Sequence, residues 1–404
     1  MSAVLPLNRP DRRPASPPAT PPATPPAVSS RRPAGTGMRV EVLHDLDALR
    51  ALLPQWEELA ANAVDSNPFY EHWMLIPALE AYGIEGFRCV AVWEDGKLGL
   101  LMPMAVEQRF RGLPLQALRS WRHRNMLVSS PLLRAKSASR CVAALLQSDV
   151  APVLHFDWLP TESAFYGALT EAAATMAMPW AVSDCYVRPI LVKDRDPRAR
   201  FNSNMKNNLR RCEAKLRPHG SITPVRLARQ EDVAGWTQAF MQLEASGWKG
   251  KEGTALICRE DDRRFVTEVF PEAFRRGQMQ ITGLDLGGRP LARHIMFIAG
   301  EGAYCFKIAY DDAHASASPG LLGEVDNVRQ FAEIPGVRWL DSNTARENVQ
   351  SYARVWKDCR TLHRVAIGLS GMGRLAVSAL PVVRLLRQAL SRVVRRQHAE
   401  RGST

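Results

Sequence analysis

The sequence predicts a mixed α/β protein, α+β in its sheet pairing, built as two tandem copies of one unit in which a mostly antiparallel sheet is flanked by helices. Three observations carry this. The chain has 404 residues, 46% hydrophobic and 23% charged, a globular composition long enough for two domains or one duplicated unit. Residues 87–108, FRCVAVWEDGKLGLLMPMAVEQ, are two β-rich runs around Glu94-Asp95-Gly96-Lys97, a strong hairpin signal. Residues 278–312 read as three strands joined by Gly287-Gly288 and Gly300-Glu301-Gly302. Both regions follow helices and precede a helix and a strand. The halves do not match residue by residue, so the duplication is read from element order alone.

Taken in order, residues 1–36 carry ten prolines in PPAT and PPAV repeats and predict a disordered, partly extended tail. The first domain is expected over 38–195. Arg39–Leu46 reads as a strand entering a turn, Asp47–Ala63 as a helix containing Pro54, and Asn67-Pro68-Phe69 as the lead into a helix at Tyr70–Tyr82. Residues 141–150 and 162–177 look helical, with the strand VLHFDWL between them. Charge density and Pro197 mark a boundary at Asp194–Arg200. The second domain is expected over 200–365. It begins with a basic helix, Asn204–Arg217, read as a solvated face or a binding one. Helices come next at Trp236–Ala245 and Glu260–Arg276, then the three strands, a helix at Pro319–Ile334 and the strand VRWLDS. Residues 370–404 form a basic amphipathic tail. Arg384, Arg387 and Arg395 lie opposite Leu375, Val382, Leu386 and Leu390, the pattern of a helix on an anionic membrane surface or docked on the body.

The net charge of +12 is confined to the ends. Residues 1–39 contribute +5 (six Arg, one Asp) and residues 364–404 contribute +7 (eight Arg, one Glu), so the body between them is neutral. A nucleic-acid-gripping face would hold its positive charge on the body, so nucleic acid is not the expected partner. Seven scattered cysteines with no CxxC pair argue against a zinc site or disulfide framework and for a reducing cytoplasm. No apolar run is long enough to span a bilayer, and no secretory apolar region opens the chain.

Two segments carry chemistry. LEASGWKGKEGTAL, Leu243–Leu256, follows a helix whose apolar face is Trp236, Ala239, Phe240 and Leu243. It places Glu244, Trp248, Lys249 and Lys251 in a glycine-bounded loop, an exposed connection or an acceptor-lining one. Phe306–Glu333 runs strand, loop, helix. Ser318 stands at the expected N-cap, Pro319 in the first turn, and Gly320 leaves its N–H unshielded. Free N–H groups at a positive dipole end are what a pyrophosphate needs. There is no GxxxxGK[ST], HExxH or GxSxG, and Gly371-Met372-Gly373 lacks the preceding strand of a dinucleotide site.

WKGKEGTAL, the hairpin, KIAYDD, SPGLL, LDS and the Trp356-Lys357 pair, in that order, resemble the CelD/BcsL-type acetyltransferases of polysaccharide biosynthesis. These belong to the GNAT superfamily and are related to the FemAB transferases. NPFYEHWMLIPAL, GLPLQALRSWRH, SSPLL and the helix NNLRRCEAKLRPHG extend the likeness over residues 40–365. The spacing of Asp341, Tyr352, Trp356 and Lys357 departs from the family pattern.

The resemblance implies two GNAT-like domains, the second catalytic, transferring an acyl group from acetyl-CoA or another acyl-CoA to an amine or hydroxyl in polysaccharide or envelope synthesis. It implies phosphate binding by Ser318, Gly320 and Leu321 with Lys307 as counter-charge, a base among Glu244 and Asp341, Tyr310 as donor to the leaving thiolate, and Trp248 and Lys249 in the acceptor pocket. The residues leave alternatives beside each role: Lys307 as a snorkelling surface lysine, Glu244 and Asp341 as ion-pair partners, Tyr310 as a core tyrosine. No metal is required. The expected setting is cytoplasmic, with peripheral contact at the inner membrane through the C-terminal helix. The competing functions are a FemAB-like aminoacyl transferase using charged tRNA and a non-catalytic scaffold of the same fold.

Overall fold

A computed structural model describes residues 37–193 and 195–382. The proline-rich tail expected over 1–36, and the part of the basic tail beyond 382, lie outside the described residues.

The first half runs β1 (Met38–Leu43), α1 (Leu46–Ala51), α2 (Leu53–Ala61), α3 (His72–Tyr82), β2 (Phe87–Glu94), β3 (Lys97–Glu107), β4 (Ala117–Ser120), β5 (Leu132–Leu133), α4 (Ala138–Leu146), β6 (Val153–Pro160), α5 (Ala164–Thr175) and β7 (Trp180–Val192). After α6 (Ser203–Leu216) the order returns as β8 (Ile222–Arg226), α7 (Val233–Ser246), α8 (Trp248–Lys251), α9 (Glu260–Arg275), β9 (Met279–Leu286), β10 (Arg289–Ala299), β11 (Gly302–Tyr310), α10 (Pro319–Ala332), β12 (Trp339–Asp341), α11 (Val349–Ala353) and β13 (Asp358–Gly368).

The strands form one sheet in the order β1-β2-β3-β4-β6-β13-β7-β12-β11-β10-β9-β8, with β5 beside β3. Its pairings are antiparallel except β4 with β6 and β11 with β12. Each half is thus a strand, helices, a three-strand meander, a helix, a parallel strand, a further helix and a last strand. The last strands are exchanged: β13 sits between β6 and β7, and β7 pairs with β12. The expected boundary at 194–200 therefore comes after a strand that is already embedded in the second half's sheet.

The helical layer joins the halves as well. Helix α3 packs on α9, and one buried cluster takes in Phe69, Trp73 and Met74 from the first half with Phe240, Phe265, Phe270 and Phe297 from the second. Ring pairs such as Phe69–Phe297 at 6.2 Å and Phe270–Phe297 at 5.9 Å fix that seam.

Some elements differ from expectation. The single helix expected at Asp47–Ala63 is broken at Leu52, because Pro54 lacks an N–H and disfavours a helical residue ahead of it. In α7 Phe240 and Leu243 are buried as expected, but the buried face also takes in Val233, Thr237, Met241 and Glu244, which leaves Trp236 and Ala239 half-buried and turns Glu244 inward. The loop after it contains the helical turn α8. There a Cβ at Gly250 would overlap the Ala245 carbonyl, so the tight approach requires glycine. The C-terminal helix starts at 371. Val377 is buried in a cluster with Phe110, Val153 and Ala366, whereas Met372 and Leu375 are each 67% exposed.

Candidate active site

Strands β11 and β12 run parallel over only three residue pairs, Gly302–Trp339 to Tyr304–Asp341. Beyond them β11 continues to Tyr310, while Ser342 turns away to donate to the Pro189 carbonyl of β7. A bulge at Phe306, between the Met296–Cys305 and Ile295–Lys307 pairs, bends β11 at the same level. The parting strands open a cavity of about 660 Å³. One wall is Phe306–Ile308, Tyr310 and the start of α10. The opposite wall is the polar segment Ser342, Asn343, Thr344, Asn348, Gln350 and Ser351, with Trp248 and Lys249 also lining the cavity.

The cavity brings together Lys307, Tyr310, Ser318, Gly320, Leu321, Trp248 and Lys249. Gly320 is packed under the Tyr310 ring: a Cβ would lie 3.0 Å from Cδ1. Ser318 does not cap α10 with its side chain as expected. It sits in the left-handed region at φ 50°, ψ 56°, and its carbonyl instead receives the N–H groups of Leu321 (3.0 Å) and Leu322 (3.2 Å). Pro319 has no N–H, so Gly320 supplies the uncommitted first-turn donor among the described hydrogen bonds, fewer than the sequence suggested. Lys215 of α6 adds a cation beside this loop, donating to the Ser316 carbonyl at 2.7 Å.

Glu244 is almost wholly buried and holds two lysines. Lys249 Nζ lies at 3.0 Å and Lys307 Nζ at 3.4 Å from Oε1, and Oε2 accepts the Leu256 N–H at 2.8 Å. Lys249 also donates to the Ile308 carbonyl at 2.9 Å. Burial pushes the Lys307 pKa down, and Glu244 opposes that. The carboxylate therefore sets the position of both cations at the cavity wall.

Asp341 stands in the ion-pair arrangement that the sequence left open beside the role of base. It is fully buried, with Arg188 Nε at 2.7 Å, Arg360 Nη1 at 2.7 Å and the Asn343 N–H at 2.7 Å. Burial alone would raise its pKa, but the two guanidinium groups together hold it below the usual carboxylate value. With both oxygens committed, it has no lone pair free for a substrate proton.

Sequence reasoning gave no site role to three contributors. The loop after β4 supplies Arg124, Asn125 and Leu127 to the wall, with Arg124 paired to Asp261 at 2.6 Å and Asp262 at 3.1 Å. Tyr352 and Arg354 come from the α11 region. The third is Glu324 on α10, buried, with Trp356 Nε1 donating to Oε1 at 2.6 Å and Asn327 Nδ2 at 3.2 Å. Its pKa is pushed up to about 7 by burial, against those two hydrogen bonds. A signal existed: Glu324 is the one acid on the face Leu321, Glu324, Val328, Phe331. Among the described residues no cluster of His, Cys, Asp or Glu could hold a metal ion.

Residues 203–354, from α6 to the end of α11, match the model of a family described as an acetyltransferase (GNAT) domain. This part of the chain is a GNAT-type acyltransferase domain, and such domains use acyl-CoA. No curated protein matches the chain. Among solved structures, the crystal structure of FemX overlaps it with a TM-score of 0.52 at 10% identity, covering 82% of this chain and 98% of that one, a likeness of fold. L-PGS from Bacillus licheniformis (TM-score 0.45, 14% identity, 83% and 97% covered) and a tandem GNAT protein from the clavulanic acid biosynthesis pathway (0.39, 12%, 81% and 98%) lie further off in shape.

Proposed function

We propose that the cavity of the second unit transfers an acyl group from acyl-CoA, acetyl-CoA being the simplest donor, to an amine or hydroxyl of a saccharide or cell-envelope precursor. The observation that carries this is the pairing of walls where β11 and β12 part. The start of α10, with Gly320 and flanking Ser318 and Leu321, suits the donor's pyrophosphate, and Lys307 supplies counter-charge. In the same cavity a segment of amides and hydroxyls at 342–351 suits a hydroxylated acceptor, and Trp248 (46% exposed), on the β11 side, offers it an aromatic ring to stack on. Lys249, held by Glu244, lies beside that ring at 6.0 Å and joins the acceptor side. Tyr310, whose ring lies against Gly320 in the same cavity, is the candidate donor to the leaving thiolate.

The fold overlap with FemX keeps aminoacyl transfer from a charged tRNA as the second reading. The neutral body disfavours it, because tRNA binding draws on basic surface. The outward row Met372, Leu375 and Val382 on the C-terminal helix, with the arginines later in the sequence, supports peripheral contact with an anionic membrane on the cytoplasmic side. No helix among the described residues is long and apolar enough to cross one.

Thermal unfolding with acetyl-CoA, longer acyl-CoAs and aminoacyl-tRNA separates the readings, since a ligand of the folded state raises the midpoint. An acyl-CoA is expected to raise it and the tRNA to leave it unmoved; a shift with tRNA alone would reverse the proposal.

A further inference from the structure

We infer that Glu324 is the group that takes the proton from the acceptor nucleophile, an assignment that rests on the acyl-transfer reading above. Four carboxylates are buried at or beside the cavity: Glu244, Asp262, Asp341 and Glu324. Three are tied to permanent cations. Glu244 carries Lys249 and Lys307, Asp262 carries Arg124, and Asp341 carries Arg188 and Arg360. A carboxylate whose oxygens are already taken up by a cation has less acceptor capacity left for a substrate proton.

Glu324 has no such partner among the described ion pairs. The groups facing it are His294 from β10, with Nδ1 at 3.5 Å from Oε2, Cys305 from β11 and Tyr352 from α11. Burial pushes the His294 pKa down to about 3, and burial pushes Cys305 and Tyr352 well up, so all three stay neutral at physiological pH. The carboxyl therefore titrates among neutral neighbours, pushed up to about 7 by burial. That is the range where a base is both free to accept and strong enough to be useful.

Its placement suits the task. Trp356 and Asn327 both donate to Oε1 and fix the side chain, leaving Oε2 without a donor in hydrogen-bonding geometry among the described contacts. Glu324 lines the cavity about one helical turn along α10 from Gly320. It stands beside Cys305, at the bulge where the strands part. The bulge at Phe306 lies four residues along β11 from Tyr310, about 13 Å, so a donor anchored by its phosphates at Gly320 would lay its pantetheine arm along β11 and bring its thioester to this level.

The step balances. The acceptor's oxygen or nitrogen forms a bond to the acyl carbon, the carbon–sulfur bond breaks, and the acceptor's proton passes to Glu324. The leaving thiolate takes a proton from water, and Glu324 returns the acceptor's proton to water, so the cycle closes.

The test is Glu324→Gln, which keeps the shape and an oxygen for Trp356. With acetyl-CoA as donor and glucosamine as probe acceptor, thiol release should fall about 10²- to 10⁴-fold with little change in KM for acetyl-CoA. The wild-type loss of kcat/KM as pH falls below about 7 should vanish. A second readout needs no substrate. A carboxyl that binds its proton more tightly when folded makes the protein less stable as pH rises from about 4.5 to about 7, and Glu324→Gln should remove that slope from the melting profile. Turnover within about threefold of wild type with the acid limb intact would overturn the assignment. Failure of the wild type to bind acetyl-CoA would overturn the reading beneath it.

Discussion

In the first unit β4 and β6 run parallel over Ala117–Arg119 and Val153–His155; in the second, β11 and β12 do so over Gly302–Tyr304 and Trp339–Asp341. Each parallel strand has an aspartate at its C-terminal side, held by arginines that include one from the exchanged strand β13. Asp157 takes Arg119 at 2.8 Å, Arg122 at 3.3 Å and Arg364 at 2.6 Å. Asp341 takes Arg188 and Arg360, both at 2.7 Å. Beyond the aspartate the two units diverge. In the first unit the end of β4 and the loop after it are stapled across β6: Ser120 Oγ accepts the Asp157 N–H at 3.2 Å and Ser129 Oγ donates to the Asp157 carbonyl. In the second, the strands part and the cavity opens. The shared aspartate–arginine group ties the exchanged strands in both units, whereas the cavity, and the acyl transfer proposed for it, belong to the second alone.

Removing the shared group should break the fold, and unequally. Asp341→Asn leaves the fully buried Arg188 short of its counter-charge and should cost about 3–5 kcal/mol of unfolding free energy in denaturant titration. Asp157→Asn should cost less, about 1–2 kcal/mol, because its three arginines keep 21–36% of their side-chain surface in water. Equal costs would remove the asymmetry. Both aspartates have lowered pKa values, burial being outweighed by the guanidinium charges. Their stabilisation is therefore complete above the ordinary value of 3.8 and is lost as pH falls below it through the folded values. Acid melts of the two variants should be flatter than wild type in that window.

The smallest effect is expected at the cavity mouth. Trp248→Ala should leave stability within about 0.5 kcal/mol, since the ring is half in water. It should leave acetyl-CoA affinity unchanged and raise the acceptor KM severalfold. Lost acetyl-CoA binding would place Trp248 on the donor side instead.

Local signals make much of this legible. The β2–β3 hairpin, α9 and α10 are set by periodicity and turn residues, and the Ser318–Gly320 and Trp248–Lys249 segments read as short motifs. The exchanged strands do not. β7 contains Pro189 and the charged Asp184 and Arg188, and β13 contains Asp358, Arg360 and Arg364, so neither reads as a central strand. Asp341 cannot be told from a base in sequence, because its partner Arg188 is 153 residues away. Glu324 shows in the sequence only as an acid on an apolar helix face, because its environment, His294 and Trp356 included, comes from strands and turns that only the folded sheet assembles.

The claim that one unit binds the donor and the other closes its equivalent crevice is tested most directly by calorimetric titration with acetyl-CoA, on wild type and on Gly320→Glu. A carboxylate at the helix start would repel phosphate, and at this position any side chain also crowds Tyr310. The expected result is one acetyl-CoA per chain in the wild type and affinity weakened at least about 100-fold in Gly320→Glu, with an unchanged circular dichroism spectrum. Two molecules per chain, or undiminished binding by a folded Gly320→Glu, would contradict it.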